Sequence, residues 1–337
     1  MKFRILGKTG LSVSEVGFGG AGIGHAWGKT TNEECVQAVQ RAVEVGINFF
    51  DTSPMYGGGQ SELNLGLGLE GLRNNVFIAT KVRLQAEEDL ADMVTAVRRS
   101  VEQSLSRLRT DHIDVLQIHH QLGPEGGQYL AVSDPPRYAF RLTQEMALNL
   151  GEAMGQIVQE GKVRFLGITA WDGHPEVIQP LLAGEVFHTA QILYNLLNQT
   201  AMSSPPVDFD DVDQGQSLPL AEQHNIGVIG IRSHAAGALV DSIDRDVKPD
   251  SEVARDFARS RKLAFFKKGP FTTLSQVALR FCLDNPAIAT VVPGIKNVSE
   301  LDEAVACSEF PHLDSEDVAM LQSLYQGTFS SDLGADS

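Results

Sequence analysis

The segment TNEECVQAVQRAVEVGINFFDTS (31–53) contains one unit of the pattern that decides the fold. Its first part is amphipathic, because apolar residues such as Ala38, Val39 and Ala42 recur at helical spacing. Its second part is a short apolar run that ends on Asp51, which predicts a buried strand. A helix that leads into a buried strand is the unit of a parallel sheet, since parallel neighbours need a crossover and a helix supplies it.

The helix of this unit also has recognisable ends. Thr31 precedes Glu34 by three residues, which is the spacing of a capping box, and Gly46 follows the last apolar positions. We therefore predict a helix that begins just after Thr31 and ends before Gly46.

Eight short apolar runs alternate with helical patterns along the chain. Both faces of a parallel sheet are covered, so its strands read as near-continuous apolar runs, as these do. Eight units favour a closed α/β fold, the (β/α)₈ TIM barrel, over an open sheet, and place an active site at the C-terminal ends of the strands. The runs are SEVGFGG (14–20), NFFDTS (48–53), NVFIATKV (75–82), IDVLQIHH (113–120), VRFLGITA (163–170), TAQILYN (189–195), GVIGIRS (227–233) and TVVPG (290–294).

Segments outside the repeat complete the predicted architecture. The opening residues 1–13 alternate and turn at KTG, which predicts an N-terminal β-hairpin at the lower end of the barrel. The long Gly/Pro loop 121–141 is of a length usually found in functional or disordered segments. We expect one barrel domain over 1–326 that ends in a C-terminal helical tail, followed by a flexible tail, 327–337.

Composition excludes several classes of protein. The formal net charge of −16 over 337 residues opposes binding to nucleic acid or to an anionic membrane. Three scattered cysteines without a CxxC pair argue against a disulfide framework or a structural zinc site. The N-terminus lacks a signal-peptide core and no run reaches transmembrane length. We expect a cytoplasmic protein.

Residues 17–22, GFGGAG, match GxGxxG, but the context does not fit a dinucleotide-binding Rossmann fold. That motif needs a helix that opens on the glycines, whereas the next helical pattern begins only near Thr31. We reject the Rossmann interpretation and predict that these glycines let the backbone approach a ligand.

Four polar residues follow the ends of neighbouring strands: Asp51, Tyr56, Lys81 and His119. Each has a plain alternative: a solvated lysine, a core histidine, a capping aspartate or a packed tyrosine. Taken singly, the two interpretations are about equal for each residue. Four complementary groups at one end of a barrel are much harder to explain as independent accidents.

The chemistry of the four residues is that of a proton donor to a carbonyl oxygen. A tyrosine has an ordinary pKa of about 10, too high for an efficient donor at neutral pH. A buried ammonium, from Lys81, would lower that pKa, and a carboxylate, from Asp51, would keep the ammonium charged. His119 would donate a hydrogen bond to a substrate oxygen. No nucleophile with its base and no metal-binding spacing is evident.

The sequence resembles the aldo-keto reductase family over nearly its whole length. The resemblance implies a tetrad of Asp51, Tyr56, Lys81 and His119, and NADP(H), with NAD(H) as the alternative, held extended across the barrel mouth. It implies hydride transfer to or from an aldehyde, ketone or sugar-like substrate. The motifs are RILGKTGLSVSEVGFG (4–19), FFDTSPMYG (49–57), LQIH (116–119), GKVRFLGIT (161–169), QILYN (191–195) and VVPG (291–294).

The resemblance also implies cofactor contacts. Gly19 and Gly20 match the backbone beside the nicotinamide ribose, and Thr169 and Gln191 match contacts to the carboxamide. Two further segments match those that hold the pyrophosphate and adenosine: Ile231, Arg232, Ser233 and Gly237 in the first, and Pro293, Gly294, Lys296, Glu300 and Glu303 in the second.

The match has gaps near the nicotinamide. Thr169-Ala170 replaces the family's Ser-Asn, so one carboxamide hydrogen bond is expected to be missing. Ile231 replaces the aromatic residue that stacks on the nicotinamide. Arg232 either reaches a phosphate or the substrate, or is a solvated loop arginine.

The choice of cofactor depends on the last segment. Lys296 is the family's candidate cation for a 2′-phosphate, whereas Glu300 replaces the usual Arg or Gln. Like charges about 4 Å apart repel by roughly 4 kcal/mol at an effective dielectric constant of 20, so Glu300 would penalise NADPH unless it swings away. We expect NADP(H), because it is the cofactor that the resemblance to the family implies.

The substrate is less clearly indicated. His25, Trp27, Trp171, His120 and the loop 121–141 are expected to line the barrel mouth, which favours a sugar-like or polar aldehyde. The competing functions are a non-catalytic redox sensor or protein-interaction module on the same barrel and, more remotely, a hydrolase or isomerase. We expect a small-molecule substrate and a monomer or small homo-oligomer.

Overall fold

The computed structural model describes residues 1–125 and 140–329. Residues 126–139 of the predicted long loop and 330–337 of the predicted tail lie outside this part. The strands are β1 (Phe3–Ile5), β2 (Ser12–Ser14), β3 (Phe18–Gly19), β4 (Phe49–Asp51), β5 (Phe77–Val82), β6 (Ile113–Ile118), β7 (Val163–Thr169), β8 (Thr189–Leu193), β9 (Gly227–Ile231) and β10 (Ile288–Val291). The α-helices are α1 (Asn32–Glu44), α2 (Gln60–Gly68), α3 (Met93–Leu108), α4 (Gln144–Gln159), α5 (Pro175–Ala183), α6 (Ser217–Gln223), α7 (Glu252–Ser260), α8 (Leu274–Leu283), α9 (Val298–Ala306) and α10 (Ser315–Gln326).

The strands β3 to β10 form one parallel barrel. They lie side by side in chain order, and every neighbouring pair is parallel. The two edge strands also meet, because parallel bridges join Val16 to Val291 and Gly19 to Gly294. The predicted (β/α)₈ barrel is confirmed, and each of the apolar runs overlaps one of its strands.

The helix α1 has the predicted ends. The Thr31 hydroxyl accepts from the Glu34 backbone N–H at 3.2 Å, and Glu34 Oε2 accepts from the Thr31 N–H at 2.8 Å. Gly46 then takes a φ of 92°, a left-handed conformation that favours glycine. The capping box and the glycine stop are therefore both present.

The N-terminal hairpin closes the lower end of the barrel. Strands β1 and β2 pair antiparallel. Leu6, directly after β1, and Val13 of β2 are buried in one apolar cluster with Phe49, Val115 and Ile229, which lie inside the barrel. Because this end is packed, the opposite end, at the C-termini of the strands, is left for chemistry.

The glycines of GFGGAG serve the closure of the barrel. A Cβ at Gly19 would lie 2.4 Å from the carbonyl oxygen of Pro293, and one at Gly22 would lie 2.4 Å from that of Ile295. Their absent side chains let β3 approach the segment after β10, and their role in admitting a ligand stays a prediction. No helix opens on them, since α1 begins at Asn32.

The C-terminal helix α10 packs on the barrel after the last unit. Asp314 caps it by accepting from the Asp317 N–H at 2.8 Å, and Leu321 and Leu324 are buried. The predicted helical tail is thus present. Across the described ranges, no helix has both the length and the apolar character needed to cross a membrane.

Candidate active site

A cavity of about 870 Å³ lies at the C-terminal ends of the barrel strands. Its size is in the upper part of the range typical of ligand pockets, about 300–1,000 Å³. Apart from Lys81, which is buried beneath it, every residue that the sequence predicts for catalysis or cofactor binding lines this cavity. These are Gly19, Gly20, Asp51, Tyr56, His119, Thr169, Gln191, Ile231, Arg232, Ser233, Gly237, Pro293, Gly294, Lys296, Glu300 and Glu303.

Lys81 connects several polar groups beneath one end of the cavity. Its Nζ donates to Asp51 Oδ2 at 2.7 Å and to Oδ1 at 2.9 Å, to the Thr52 carbonyl at 2.9 Å, and to Tyr56 Oη at 3.2 Å. Its side chain has 0 % exposure, so the ammonium depends on these oxygens instead of water. Asp51, Tyr56 and Lys81 therefore form one connected group.

The charge of Lys81 is maintained in spite of its burial. Burial alone lowers the pKa of a lysine, because it penalises the charged form. The negative charge of Asp51 and the Tyr56 oxygen oppose this effect, and the pKa of Lys81 rises above its ordinary value. Lys81 is therefore an ammonium at neutral pH.

Asp51 has further partners that the sequence did not identify. Gln117 Nε2 donates to Asp51 Oδ1 at 3.1 Å, and Gln191 Nε2 donates to the same oxygen at 2.6 Å. Gln191 lines the cavity, and its amide NH₂ donates to Asp51. Strand alternation places Gln117 on the same face as His119, two residues later, and was the signal that could have revealed it.

Tyr56 is positioned by the glycine-rich turn before α2. Gly57, Gly58 and Gly59 have φ values of 63°, 62° and 97°, which a residue with a side chain rarely adopts. Gly24 matters as well, since a Cβ there would lie 2.9 Å from the Tyr56 carbonyl oxygen. The glycines that follow the catalytic strand thus turn the chain back over the cavity.

His119 stands edge-on to Tyr56. The two ring centroids are 6.1 Å apart with an interplanar angle of 86°. His119 Nδ1 is 3.2 Å from Ser53 Oγ, a contact that fixes the orientation of the imidazole. The structure brings the predicted tetrad together at one end of the cavity.

Two buried hydroxyls face the same cavity. Thr169 Oγ1 and Ser233 Oγ have no hydrogen-bond partner in the described part of the chain. Buried polar atoms are rarely left unpaired, so a polar ligand is expected to supply their partners. A nicotinamide dinucleotide, which has a carboxamide, ribose hydroxyls and phosphates, fits this requirement.

Arg232 lines the cavity and is held by two other side chains. Its guanidinium pairs with Glu252 and lies 4.8 Å above the ring of Trp171. The side chain is only 16 % exposed, so the interpretation as a solvated loop arginine is wrong. Ile231 ends β9 and lines the cavity, but its side chain is aliphatic and provides no ring for stacking.

The opposite end of the cavity holds Lys296, which is already paired. Its Nζ is 2.7 Å from Asp244 Oδ2 and also contacts Glu300. Glu303 accepts hydrogen bonds from Ser275 Oγ at 3.0 Å and from Thr273. Asp244, Thr273 and Ser275 were missed because they lie in other units of the barrel.

The prediction of the residues that line the barrel mouth is only partly correct. Trp27 and Trp171 line the cavity, together with Met55 and Arg83. His120 does not, because it is buried and its Nε2 accepts from the Leu84 N–H at 2.9 Å. Burial lowers the pKa of His120 to about 4.

His25 is also absent from the cavity wall. It is exposed, and its Nε2 lies 2.9 Å from Asn32 Oδ1. The prediction that these two histidines line the mouth is therefore wrong. Residues 126–139 of the loop lie outside the described residues.

Comparisons with known proteins identify the family of this chain. The sequence profile of the aldo/keto reductase family matches residues 15–326. L-galactose dehydrogenase from Arabidopsis thaliana is 30% identical over 310 residues, which cover 91% of this chain and 88% of that protein.

Solved structures have the same fold. An aldo-keto reductase from Bacillus halodurans in its holo form aligns with a TM-score of 0.72 at 24% identity, over 96% of each chain. An aldo-keto reductase from Klebsiella pneumoniae in complex with NADPH aligns with a TM-score of 0.65 at 22% identity, over 97% of this chain and 96% of that one. This chain belongs to the aldo/keto reductase family of oxidoreductases.

Proposed function

We propose that the protein catalyses hydride transfer between a nicotinamide cofactor and a carbonyl or alcohol substrate, with Tyr56 as general acid or base. The observation that supports this most directly is the contact of Tyr56 Oη with Lys81 Nζ at 3.2 Å, beside the Lys81–Asp51 ion pair. The bound cofactor would supply or accept the hydride; the protein's residues would manage the proton.

Lys81 prepares Tyr56 for proton transfer. An ammonium at this distance stabilises the phenolate relative to the phenol, so the hydroxyl gives up its proton more readily. In the oxidative direction the same charge holds the phenolate as a base for the substrate hydroxyl. Asp51 keeps Lys81 charged, and Gln117 and Gln191 hold Asp51 in place.

His119 orients the substrate oxygen. Its ring is fixed by Ser53 and stands beside Tyr56, so a carbonyl oxygen can meet both residues. A donated hydrogen bond from the imidazole would stabilise the charge that develops on that oxygen. Tyr56 and His119 are thus proposed as the catalytic residues that touch the substrate.

The cofactor is proposed to extend from the tetrad to Lys296. Gly19, Gly20, Thr169 and Gln191, which all line the cavity, would surround the nicotinamide end. The pyrophosphate and adenosine would meet Ile231, Arg232, Ser233, Gly237, Pro293, Gly294, Lys296, Glu300 and Glu303. The family resemblance predicts NADP(H) as the cofactor.

The substrate is proposed to be a polar or sugar-like aldehyde or alcohol. Two tryptophans, Trp27 and Trp171, and the cation Arg83 line the cavity together with the tetrad. Flat aromatic faces with nearby polar groups suit a hydroxylated carbon chain better than an extended apolar ligand. The name of the Arabidopsis relative, L-galactose dehydrogenase, supports the same class.

The wider setting follows the sequence predictions. We propose that residues 1–326 act as one domain and that the protein is cytoplasmic. The cysteines Cys35, Cys282 and Cys307 are free and buried, which suits a reducing compartment. A monomer or small homo-oligomer without nucleic-acid or membrane partners is proposed.

Replacing Tyr56 with Phe tests the mechanism. The substitution removes one oxygen and leaves the ring, so we expect turnover to fall about 10²- to 10⁴-fold. Cofactor binding, followed by nicotinamide fluorescence, should change little because the hydroxyl acts on the substrate. A panel of sugar aldehydes, simple aldehydes and ketones would identify the substrate class. Full activity of the Tyr56→Phe protein would disprove the proposed role.

A non-catalytic module on the same barrel is the competing function. Such a protein has no need to keep a functional proton donor, whereas all four groups of the tetrad are present and in contact here. The same Tyr56→Phe experiment separates the two functions, because a sensor would bind the cofactor but show no substrate turnover in the unmodified protein.

A further inference from the structure

The end of the cavity remote from Tyr56 is negatively charged. Two cations line it in the described residues, Arg245 and Lys296, against a larger number of carboxylates. The carboxylates are Asp244, Glu300, Glu303 and Asp241, the last of which is paired with Lys267 at 2.8 Å. A ligand with an additional negative charge would meet unfavourable electrostatics at this end.

The charge of Lys296 is already matched by two of these carboxylates. Its Nζ lies 2.7 Å from Asp244 Oδ2 and also contacts Glu300. Burial alone would lower its pKa, but hydrogen bonds to Asp244 and Glu300 raise the pKa of Lys296 above its ordinary value. Lys296 could therefore bind a phosphate only by breaking its contacts with two carboxylates.

Glu300 is held in place. Its Oε2 accepts from the Lys296 backbone N–H at 3.0 Å, while its own backbone N–H donates to Asn297 Oδ1 at 2.9 Å at the start of α9. The carboxylate is thus bound at the main chain as well as at the ammonium. Swinging it away from an incoming anion would break both contacts.

Arg245 is engaged elsewhere. Its guanidinium lies 4.8 Å above the ring of Trp27 and donates to the Ala236 carbonyl. It is also 3.7 Å from Asp244 Oδ1, so part of its charge is directed at a carboxylate. Neither cation at this end is available as a dedicated phosphate ligand.

We propose that Asp244 and Glu300 make this site select NAD(H) over NADP(H). The proposal rests on the proposed function, since it assumes that the nicotinamide lies at Tyr56 and the adenosine at Lys296. A phosphate monoester adds about 1.5 to 2 negative charges at pH 7, which these carboxylates repel. A ribose 2′-hydroxyl, in contrast, can donate a hydrogen bond to a carboxylate.

The test measures binding of NADH and NADPH separately, by nicotinamide fluorescence, to the full chain and to three variants. Asp244→Asn, Glu300→Gln and the double variant remove negative charge with little change in shape. We expect the unmodified protein to bind NADH about tenfold or more tightly than NADPH, and the double variant to lose most of that preference through tighter NADPH binding.

Asp302→Asn is the matched control. Asp302 lies on α9, is half-exposed and pairs with Arg41 outside the cavity, so its neutralisation should leave the NADH/NADPH ratio unchanged. NADPH binding as tight as NADH in the unmodified protein would overturn the proposal, as would an unchanged ratio in the double variant. Binding of neither dinucleotide, even though the protein unfolds cooperatively, would overturn the proposed function itself.

Discussion

The cavity has a paired lysine at each end, and the two pairs differ in burial and in the balance of charge. Lys81 is fully buried and contacts one carboxylate, Asp51, together with the Tyr56 hydroxyl. Lys296 keeps 13 % of its side chain exposed and contacts two carboxylates, Asp244 and Glu300. The first arrangement has one carboxylate for one ammonium, which also contacts the phenol, whereas the second has two carboxylates for one ammonium.

The difference shows that the role of a lysine depends on what balances its charge. At the catalytic end, Gln117 and Gln191 share the carboxylate of Asp51 with Lys81, so the aspartate's lone pairs are divided among several donors. At the other end, Glu300 accepts from the ammonium and from the backbone N–H of Lys296, and no side-chain amide of the described residues contacts it. Lys296, which the sequence alone suggests as a phosphate ligand, binds two carboxylates in the folded protein.

Replacing each lysine by methionine should separate the two ends most strongly. Lys81→Met leaves Asp51 buried without its cation, so we expect about 3–5 kcal/mol less stability to urea and near-complete loss of turnover. Lys296→Met removes a partly exposed pair, which contributes about 1 kcal/mol or less. Equal losses of stability in the two variants would contradict the comparison.

His120 sharpens the comparison, because it is buried at the catalytic end beside a like charge, Arg83, instead of a carboxylate. Burial, followed by Arg83, lowers the pKa of His120 from its ordinary value of 6.5 to about 4. The unfolded chain therefore binds a proton first as the pH falls. The stability that neutral His120 contributes is present above pH 6.5 and is lost progressively down to about pH 4.

The corresponding experiment compares urea unfolding at pH 7 and pH 4.5. The lost stability attributable to His120 is about 3 kcal/mol at most over the whole range. A His120→Asn variant, which has no group to titrate, should lose less stability than the unmodified protein between these two pH values. The same loss in both proteins would show that His120 is not a source of the acid sensitivity.

Gln117→Leu gives the smallest of the expected effects. It removes one donor to the Asp51 carboxylate, a hydrogen bond to a charged group of about 1.5–3 kcal/mol, so turnover should fall about tenfold or more. Cofactor binding should be nearly unchanged, because Gln117 does not line the cavity. A reduced affinity with unchanged turnover would argue against its role as a positioning residue.

Gln121→Leu is the control for that variant. Gln121 is equally buried, and its amide has no hydrogen-bond partner in the ranges 1–125 and 140–329. The same exchange of an amide for an apolar group should therefore leave turnover unchanged and cost no hydrogen bond.

Most of the fold and the tetrad could be predicted from the sequence. The ends of α1 depend on contacts within a few residues, as Thr31 and Glu34 show. Asp51 and Lys81 follow apolar runs that end at the same edge of a parallel sheet, and that regularity brings them together. The prediction for His120 failed because a position near a strand end does not say which way a side chain points. His25 follows a short 3₁₀ turn after β3, and its ring contacts Asn32 instead.

The sequence by itself determined the repeating units, the strand ends and the four chemical groups of the tetrad. These depend on periodicity and on short-range capping, which are local. Only the tertiary structure decided which charges meet: Asp244 reaches Lys296 across 52 residues, and Gln191 reaches Asp51 across 140. Electrostatic interactions depend on distance in space and on burial. The charge balance around each lysine therefore follows only from the folded barrel.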